Sequence, residues 1–375
     1  MKVALIHDHL AQDGGAEKVL KVLADIYCQA PIYTLLYEEK NALKYFADRR
    51  IETSIIQKLP GGVRFYQWYM PFMPMAVEFF DLREYDVVIS DASAFAKGVI
   101  TSPKTLHISY CHTPTRYLWD YTHQYINELK YNKLIKKIIS LVLTYIRLWD
   151  RLAADRVDIF VANSETVRRR IEKYYRRPAR VIYPPVDTDK FSLSKEIGDY
   201  FLIGGRLAPY KRVDIVVEAF RHLGWPLKIF GDGVDLKRLK KIANFSNNIT
   251  FLGRVDEKTK IELYRHCRAF LNPQEEDFGI TAVEAMAAGR PVIAFRAGGA
   301  TETVKEGVSG LFFKRQSVEN LIQALKEFVA KEKEFKPALI RAQAEKFSRQ
   351  RFEKEIKEFV AAEYEKFRKN YGNWD

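Results

Sequence analysis

Two glutamates eight positions apart, Glu276 and Glu284, mark the stretch of this sequence whose residue types are best suited to chemistry. They lie in the run EEDFGITAVEAMAAGRPVIA, residues 275–294. After Gly279 apolar residues recur at helical spacing, and a buried parallel strand follows. The N–H groups at the helix start, from Gly279 to Thr281, would attract phosphate. One carboxylate could then contact a group beside the phosphates and the other a group on their far side, as when two sugars flank a diphosphate.

An ordinary helix with an acidic first turn also accounts for two glutamates alone, since the macrodipole favours acidic residues there. The whole run, however, resembles the E-x7-E region of retaining glycosyltransferases of family 4, which have the GT-B fold and use nucleotide-sugar donors. The resemblance implies that Glu276 contacts hydroxyls of the donor sugar and that Glu284 binds the nucleotide ribose. The residues expected to bind the donor beside them are Phe278, Gly279, Ile280 and Thr281.

A glycine pair followed by two basic residues comes directly after another predicted strand. Gly205 allows the backbone to approach a ligand closely, and Arg206 and Lys211 place two cations at the end of the strand. A solvated turn would contain the same residues. The resemblance adds that the family's G-R-L-x-x-x-K pattern, matched from Gly205 to Lys211, holds the donor diphosphate. Cleavage of the bond between sugar and diphosphate builds negative charge on the leaving oxygen, and fixed cations stabilise that charge.

Two features of the N-terminal half complete the predicted catalytic set. His112 follows a predicted strand in YCHTP, and functional side chains gather at strand ends in α/β proteins. The family has a comparable histidine at the donor sugar, so His112 is expected to position the sugar and to stabilise the transition state. Gly15 matches the family's glycine-rich loop over the donor phosphates. No residue is marked as a covalent nucleophile, and the mechanism adopted is the same-face one commonly proposed for the family, in which the diphosphate takes the acceptor proton.

The loop after the strand that ends in Phe251-Leu252 is expected to lie beside the nucleotide base. It contains Arg254, Val255 and Asp256, and Gly231 in a similar turn is expected to belong to the same pocket. Guanine offers two donors on its Watson–Crick edge, uracil only one, and a carboxylate can accept both. Asp256 therefore favours GDP, although an N-cap for the helix that follows explains this residue equally well.

No group of residues has convincing spacing for a metal site. Asp187-Thr188-Asp189 has the D-x-D spelling of metal-dependent transferases, but it follows a Pro-Pro pair and suits a turn. His7 and His9 would share one strand face, and two ligands do not make a site. The nucleotide sugar is thus expected as a substrate, with no cofactor and no metal, as is general among GT-B transferases.

Length and composition indicate a globular protein of about two domains. The chain has 375 residues, of which 47% are hydrophobic. No apolar window is long enough to span a bilayer, and MKVALIHDHL is typical of a first strand rather than of a signal peptide. Three widely spaced cysteines indicate a reducing compartment without disulfides. A cytoplasmic location is therefore expected.

Strands alternate with helices along the chain, which indicates a parallel α/β architecture. The predicted domains are an N-terminal acceptor-side Rossmann-like domain over residues 1–183, a nucleotide-sugar-binding Rossmann-like domain over residues 184–346, and a C-terminal helix over residues 347–375. In GT-B proteins such a helix usually crosses back to the first domain. The expected fold is α/β of the GT-B class, with two Rossmann-like domains facing a central cleft.

The net charge of +13 is concentrated in one segment. From Lys130 to Arg180 fourteen basic residues stand against five acidic ones, which gives +9. A long basic helix with the composition of an interfacial helix is predicted from about Glu128 to Ala153, and residues 65–80 are rich in aromatic side chains. These features predict docking to an anionic membrane at its inner face. Packing of the apolar faces inside the first domain is an equally good explanation.

The sequence therefore predicts a retaining hexosyltransferase, with mannose from GDP-mannose as the favoured donor and a glycan or polyprenyl-linked saccharide as the acceptor. The runs YCHTPTRYLWD and YPPVDTDKF are most similar to bacterial mannosyltransferases of polysaccharide and O-antigen assembly. The alternatives are a UDP-sugar transferase of the same family, a non-catalytic sugar-nucleotide-binding protein and a nucleic-acid-binding protein. Nucleic acid is disfavoured as a partner because the sequence has no helix-turn-helix signature, zinc spacing or aromatic RNA-binding motif.

Overall fold

The computed structural model of the protein describes residues 1–11, 14–39 and 44–371. The chain divides into two compact units, Met1–Tyr183 with Phe352–Asp375 as the first and Pro184–Arg351 as the second. Each unit is built on its own sheet, and in both sheets the named strands pair only in parallel.

The sheet of the first unit has seven strands. They are β1 (Val3–Leu10), β2 (Ile32–Tyr37), β3 (Ile51–Thr53), β4 (Val87–Ala92), β5 (Leu106–Cys111), β6 (Ile159–Ala162) and β7 (Ala179–Val181). Their order across the sheet is β3-β2-β1-β4-β5-β6-β7. The central strands are buried along nearly their whole length, because helices cover a parallel sheet on both faces.

The helices of the first unit begin in different ways, two of them at a side-chain cap, Asn132 or Ser164. They are α1 (Gly15–Ile26), α2 (Met73–Glu78), α3 (Thr122–Glu128), α4 (Lys133–Asp155) and α5 (Glu165–Tyr175). The prediction of one helix from Glu128 to Ala153 was wrong, because the chain is extended at Leu129 and a new helix begins after Asn132. The Asn132 side chain accepts a hydrogen bond from the N–H of Ile135 at 2.9 Å, as a good N-cap does.

The second unit repeats the same architecture with six strands. They are β8 (Phe201–Gly204), β9 (Leu227–Phe230), β10 (Ile249–Gly253), β11 (Phe270–Asn272), β12 (Val292–Phe295) and β13 (Gly310–Phe313), in the order β10-β9-β8-β11-β12-β13. The helices are α6 (Val213–Leu223), α7 (Leu236–Ala243), α8 (Glu257–His266), α9 (Ile280–Ala287), α10 (Ala300–Thr303), α11 (Val318–Lys331) and α12 (Pro337–Glu345).

Both sheets have the strand order of a Rossmann fold, as the sequence predicted. The order reverses beside the first strand of each unit, between β1 and β4 in the first and between β8 and β11 in the second. In open parallel sheets ligands bind outside the carboxyl ends of the strands at such a reversal. The residues that follow these four strands are therefore the expected position of a ligand site in each unit.

The C-terminal helix α13 spans Arg349–Tyr371. Phe352, Ile356 and Val360, spaced four residues apart, are buried in the core of the first unit. Just before them, Ser348 lies in a parallel bridge with Val186 of the second unit. Helix α13 thus completes the core of the unit in which the chain begins.

A buried ion pair fixes helix α4 to the first unit. Lys97 Nζ lies 2.5 Å from Asp150 Oδ1, and both side chains are at most 2% exposed. Asp150 also accepts hydrogen bonds from the Thr115 hydroxyl at 3.0 Å and from the Trp119 indole N–H at 2.8 Å. A buried charge is tolerated only when it is paired and hydrogen-bonded, and Lys97, Thr115 and Trp119 provide this for Asp150.

We expect Asp150→Ala to destabilise the protein by about 3–5 kcal/mol, because it leaves the Lys97 ammonium buried without its counter-ion. Asp155→Ala on the same helix is the matched control, since Asp155 is exposed and pairs with Arg151 on the surface. Its cost should be about 0–1 kcal/mol. Urea unfolding followed by circular dichroism measures both, and equal losses of stability would contradict the anchoring role of Asp150.

Candidate active site

The turns after β8, β9 and β10 lie against one another in the second unit. The N–H of Gly205 donates to the carbonyl of Phe230 at 3.1 Å, and the N–H of Gly231 donates to the carbonyl of Gly253 at 2.6 Å. Gly231 has a φ of 109°, and a Cβ at this position would lie 1.8 Å from the Gly205 carbonyl oxygen. Only glycine fits there, so two of the predicted donor-binding glycines, Gly205 and Gly231, are in direct contact.

Lys211 and Glu276 form an ion pair beyond the ends of the two central strands, β8 and β11. Lys211 ends a short 3-10 turn that follows β8, and Glu276 lies in the loop after β11. Burial lowers the pKa of Lys211, but the Glu276 carboxylate, together with Tyr210 and Asp277, raises it by more than burial lowers it. The pKa of Lys211 therefore lies above its usual value. The ammonium group therefore stays charged beside the carboxylate predicted to hold the donor sugar.

Helix α9 begins beside this ion pair. Gly279 precedes it with a φ of 93°, and a Cβ at this position would lie 3.0 Å from Glu276 Oε2. Ile280 and Thr281 are half-buried and open the first turn. The first N–H groups of an α-helix have no acceptor within the helix. Cation, carboxylate and helix N-terminus thus lie at one edge of the sheet.

The loop that carries Glu276 is held by packing and by its backbone. The ring of Phe278 is buried and packs edge-on against Phe347, with 5.4 Å between the ring centroids. The N–H of Gly299 donates to the carbonyl of Glu276 at 2.8 Å. Since the Phe278 side chain belongs to the core, a contact of Phe278 with the donor would have to come from its main chain.

Glu284 is buried on the inner side of helix α9 and faces helix α8. Its carboxylate accepts hydrogen bonds from the Lys260 ammonium and the Tyr264 hydroxyl, both at 3.2 Å. Burial and the negative charge of Glu284 raise the pKa of Tyr264 well above its usual value, so this hydroxyl remains a donor. A carboxylate can accept about four hydrogen bonds, and the donors to Glu284 include Lys260 and Tyr264.

Asp256 caps helix α8, as one of its two explanations predicted. Its Oδ1 accepts the N–H of Thr259 at 2.7 Å, and hydrogen bonds from the side chain and the main chain of Thr259 lower the pKa of Asp256. Arg254 is exposed and lies 3.6 Å from an oxygen of Asp232, and Val255 is half-buried. A contact of Asp256 with a guanine base remains a prediction, and it would have to use the carboxylate alongside the cap.

Three other charged residues considered in the sequence of the second unit are Arg206, Asp187 and Asp189. Arg206 is exposed in the turn after β8. Asp187 forms an ion pair with Lys190 at 3.1 Å, and Asp189 accepts a hydrogen bond from Gln350. The two aspartates of the D-x-D run therefore serve local structure at the start of this unit.

Asn272 is a polar residue of this edge that the sequence analysis missed. It is the last residue of β11 and is fully buried. Neither atom of its amide has a hydrogen-bond partner among the described residues, and its Nδ2 lies 3.9 Å from where a Cβ of residue 279 would be. Its signal in the sequence is an asparagine inside the otherwise apolar strand FLN.

In the first unit His112 lies at the corresponding edge. Its Nε2 is 2.6 Å from Asp91 Oδ1, and Asp91 Oδ2 is 2.9 Å from Nδ1 of His7. Gly15, the other residue predicted here, is the exposed first residue of helix α1, and Glu17 in the same turn faces His7. The structure thus places His112 in a network of charged side chains.

Sequence reasoning did not single out three members of this network: His7 as a hydrogen-bonding group, Asp91 and Glu17. The available signal was the presence of polar residues within buried strands, VALIHDHL and VVISDA. That signal shows that a residue needs a partner but not which one. His7 and Asp91 are register partners on β1 and β4, a relation that follows only from strand order.

Comparison with protein families identifies both halves of the chain. Residues 186–351 match the model of the Glycosyl transferases group 1, and residues 14–190 match the model of Glycosyltransferase Family 4. The two matches overlap at residues 186–190 and together span residues 14–351. Both parts of the chain are thus similar to glycosyltransferases, of group 1 and of family 4, as the resemblance implied.

Three curated relatives show the range of similarity. An uncharacterized glycosyltransferase of Methanocaldococcus jannaschii is 33% identical over 194 residues, which cover 50% of this chain and 54% of that protein. The alpha-1,3/1,6-mannosyltransferase ALG2 of Dictyostelium discoideum is 24% identical over 83% of this chain and 85% of its own. A GDP-mannose-dependent alpha-(1-6)-phosphatidylinositol monomannoside mannosyltransferase of Mycobacterium tuberculosis is 30% identical over 48% and 54%. The match spans about half the length of the first and third relatives.

Among solved structures, Anabaena HepE in complex with UDP superposes with a TM-score of 0.71 at 18% identity, over 96% of this chain and 100% of that chain. At such low identity the likeness concerns the fold alone. Together with the two Rossmann-like sheets, it confirms the GT-B class that the sequence predicted.

We expect the two glutamates to have separable roles. Glu284→Ala should weaken binding of the nucleoside diphosphate about ten- to a hundredfold, because it removes acceptors for the ribose hydroxyls. Glu276→Ala should leave this affinity largely unchanged and abolish sugar transfer. Calorimetry with GDP measures the first effect, and Tyr264→Phe, which removes one hydrogen bond to Glu284, controls for local disturbance. Equal losses of nucleotide affinity in both glutamate variants would contradict this division.

Proposed function

We propose that the protein is a retaining glycosyltransferase that transfers a hexose from a nucleotide-sugar donor to a glycan or lipid-linked saccharide. The observation that carries the proposal is the Lys211–Glu276 ion pair at the strand-order reversal of the second unit, beside the N-terminus of α9. A diphosphate needs cations and free N–H groups, and a sugar needs hydrogen-bond acceptors for its hydroxyls. This edge of the sheet offers all three.

The chemical step depends on charge that develops on the leaving diphosphate. In the proposal Arg206 and Lys211 stabilise this charge, and Glu276 holds the donor sugar by accepting from its hydroxyls. The acceptor hydroxyl attacks from the face that the diphosphate leaves, and its proton passes to a diphosphate oxygen, so no protein nucleophile takes part. The role proposed for His112 is to position the donor sugar. The reaction as proposed needs no cofactor and no metal.

GDP-mannose is the proposed donor. The names of two relatives support it, since one is a mannosyltransferase and another depends on GDP-mannose. The carboxylate of Asp256 also suits the two donors of guanine. A UDP-sugar is the second candidate, because a protein of the same fold was solved with UDP. Calorimetric titration with GDP, UDP and ADP distinguishes the two, and turnover of radiolabelled sugar nucleotide distinguishes an enzyme from a binding protein.

We expect Arg206→Ala and Lys211→Ala each to slow transfer by roughly ten- to a thousandfold, in line with the loss of one group that stabilises developing charge. Lys211→Arg, which keeps the charge, should retain more activity than Lys211→Ala. EDTA should leave transfer by the unmodified protein unchanged. If EDTA abolishes activity and Mg²⁺ or Mn²⁺ restores it, the metal-free mechanism is wrong. Asp187 and Asp189 would then be candidate metal ligands.

We further propose that the first unit docks on an anionic membrane through helix α4. Within the described parts of the chain, no helix is long and apolar enough to cross a membrane. One face of α4 packs into the unit through residues such as Ile139, Val142 and Ile146. A second apolar face, here called the α4 stripe, is 54–70% exposed and consists of Leu134, Ile138, Leu141, Tyr145, Leu148 and Leu152.

The α4 stripe has the features of an interfacial helix face. Its residues follow one another at alternating intervals of four and three, so they form a row about 27 Å long on one side of the helix. Lys133, Lys136 and Lys137 lie beside it in the first turns. Apolar surface between basic residues fits the boundary between lipid headgroups and acyl chains. The docking proposed is to the cytoplasmic face, where a lipid-linked acceptor would be reached.

Only part of the +9 charge of residues 130–180 supports this docking. Arg147 and Arg177 donate to main-chain carbonyls, while Arg156, Arg168 and Arg170 form ion pairs with acidic residues of the same unit. The lysines of α4 therefore matter more than the arginines. Each basic residue near an anionic surface contributes roughly 1 kcal/mol, so a few are enough for reversible docking.

We expect Lys133→Glu, Lys136→Glu and Lys137→Glu in combination to reduce co-sedimentation with anionic liposomes, without changing nucleotide affinity. High salt should also weaken docking, since the Debye length falls to roughly 3 Å at 1 M. Leu141→Ser with Leu148→Ser should remove the part of the binding that survives salt, because that part depends on apolar contact.

The matched control changes the same charge on the second unit, with Lys326→Glu, Lys331→Glu and Lys333→Glu, all exposed. This variant should sediment like the unmodified protein. A protein that ignores anionic liposomes at low salt would refute the docking. Self-association in lipid-free solution that the Leu141 and Leu148 changes abolish would assign the stripe to a second copy of the chain instead.

A further inference from the structure

Four titratable side chains of the first unit form a continuous row between helix α1 and the sheet. Glu17 Oε1 lies 3.8 Å from His7 Nε2, His7 Nδ1 lies 2.9 Å from Asp91 Oδ2, and Asp91 Oδ1 lies 2.6 Å from His112 Nε2. Glu17, His7 and Asp91 are at most 3% exposed, and His112 is 12% exposed. The row therefore runs from the interior to one accessible member.

The row is set by strand register and by a glycine. His7 and Asp91 are partners on the adjacent strands β1 and β4, and His112 directly follows the next strand, β5. Glu17 enters from the first turn of α1. A Cβ at Gly14 would lie 2.7 Å from Glu17 Oε2, so glycine leaves the space that this carboxylate occupies. The glycine pair thus has a role inside the unit as well as its predicted role over the phosphates.

The charges in the row alternate. Burial lowers the pKa of His7, but hydrogen bonds and charges from Asp91 and Glu17 raise it to about 10, so His7 is a cation at neutral pH. Burial raises the pKa of the Glu17 and Asp91 carboxyl groups, but their histidine partners lower it by more. Both pKa values therefore lie below their usual values. Each buried charge is thus balanced by a neighbour, which is the condition for keeping it.

A cationic His7 donates its Nδ1–H to one oxygen of Asp91. The other oxygen lies 2.6 Å from Nε2 of His112. A carboxylate only accepts hydrogen bonds, so a neutral His112 that bonds to it would carry its proton on Nε2. In a neutral imidazole the partner of one nitrogen decides the role of the other. With its proton held on Nε2, His112 presents Nδ1 as an acceptor, suited to a sugar hydroxyl.

We propose that His7 and Glu17 are positioning residues for sugar transfer, which hold Asp91 so that it keeps the proton of His112 on Nε2 and leaves Nδ1 for the donor sugar. The proposal rests on the role of His112 in the proposed function. It gives a function to two residues, His7 and Glu17, that act without touching the substrate. Their effect passes through Asp91 to the one accessible member of the row.

The first test measures the proton on His112 without any substrate. The chain has seven histidines, and the full-length protein labelled with ¹⁵N-histidine gives long-range ¹H–¹⁵N spectra, in which His112→Gln identifies the His112 signal. At alkaline pH His112 should keep its proton on Nε2. In His7→Leu a substantial fraction should lose it there and carry it on Nδ1. In His7→Gln, whose amide can still donate to Asp91, the shift should be smaller.

The second test measures steady-state transfer with the same variants. His7→Leu should lower kcat by roughly a hundredfold, the scale expected when a catalytic group is misplaced by about 1 Å. The KM for the donor should change little, because the nucleotide is bound by residues of the second unit. His7→Gln should recover part of the loss. Glu17→Gln, which preserves the shape of the side chain and removes its charge, should lower kcat less than His7→Leu does. If His7→Leu fails to fold, Glu17→Gln is the variant that decides the test.

His107→Gln is the matched control, since His107 is fully buried in the same sheet and bonded to Ser90 rather than to the row. It should leave both the His112 proton and kcat unchanged. An unmodified protein with the His112 proton on Nδ1 overturns the proposal, as does a fall of kcat in His7→Leu with an unchanged His112 signal. If no sugar nucleotide is turned over, the proposed function fails, and the spectra still decide whether His7 and Glu17 fix the proton of His112.

Discussion

The reversal of strand order beside the first strand of each sheet is the constraint on which the rest of this structure depends. All strands are parallel, so their carboxyl ends meet at one edge, and at the reversal the following chain segments leave in opposite directions. In the second unit this edge receives Lys211 after β8 and Glu276 after β11. In the first unit it receives His7 on β1 and Asp91 on β4. Residues far apart in sequence become neighbours because the topology brings these strand ends together.

Both edges hold opposite charges in contact. The Lys211–Glu276 pair is partly buried, and the row from Glu17 to His112 is buried except at its end. Charges removed from water must be balanced locally, and this fixes their positions before any ligand arrives. Groups fixed in advance need little reorganisation when charge develops in a reaction, which is the main source of electrostatic catalysis. The same constraint therefore accounts for both stability and the proposed chemistry.

Helix α4 shows how one element can serve both core and surface. Its inner face carries Asp150, which pairs with Lys97, and the apolar residues that pack in the unit. The α4 stripe lies on a different side and remains exposed. The two explanations offered by the sequence, packing inside the unit and an interfacial face, thus apply to different faces of one helix. A buried ion pair holds the helix in an orientation that keeps the stripe outside.

The sequence by itself determined whatever depends on neighbours along the chain. Period and caps predicted α8 and the start of α9, the alternation of strands and helices predicted two Rossmann-like sheets, and the E-x7-E run indicated the family. Local pattern failed at Asn132, where a cap interrupts a periodic run. Only the tertiary structure decided which polar residues meet. His7 and Asp91 lie 84 positions apart, and their contact follows from strand order and register, which no local pattern encodes. The same reason explains why Asn272 and the exposed side of α4 became visible only in the fold.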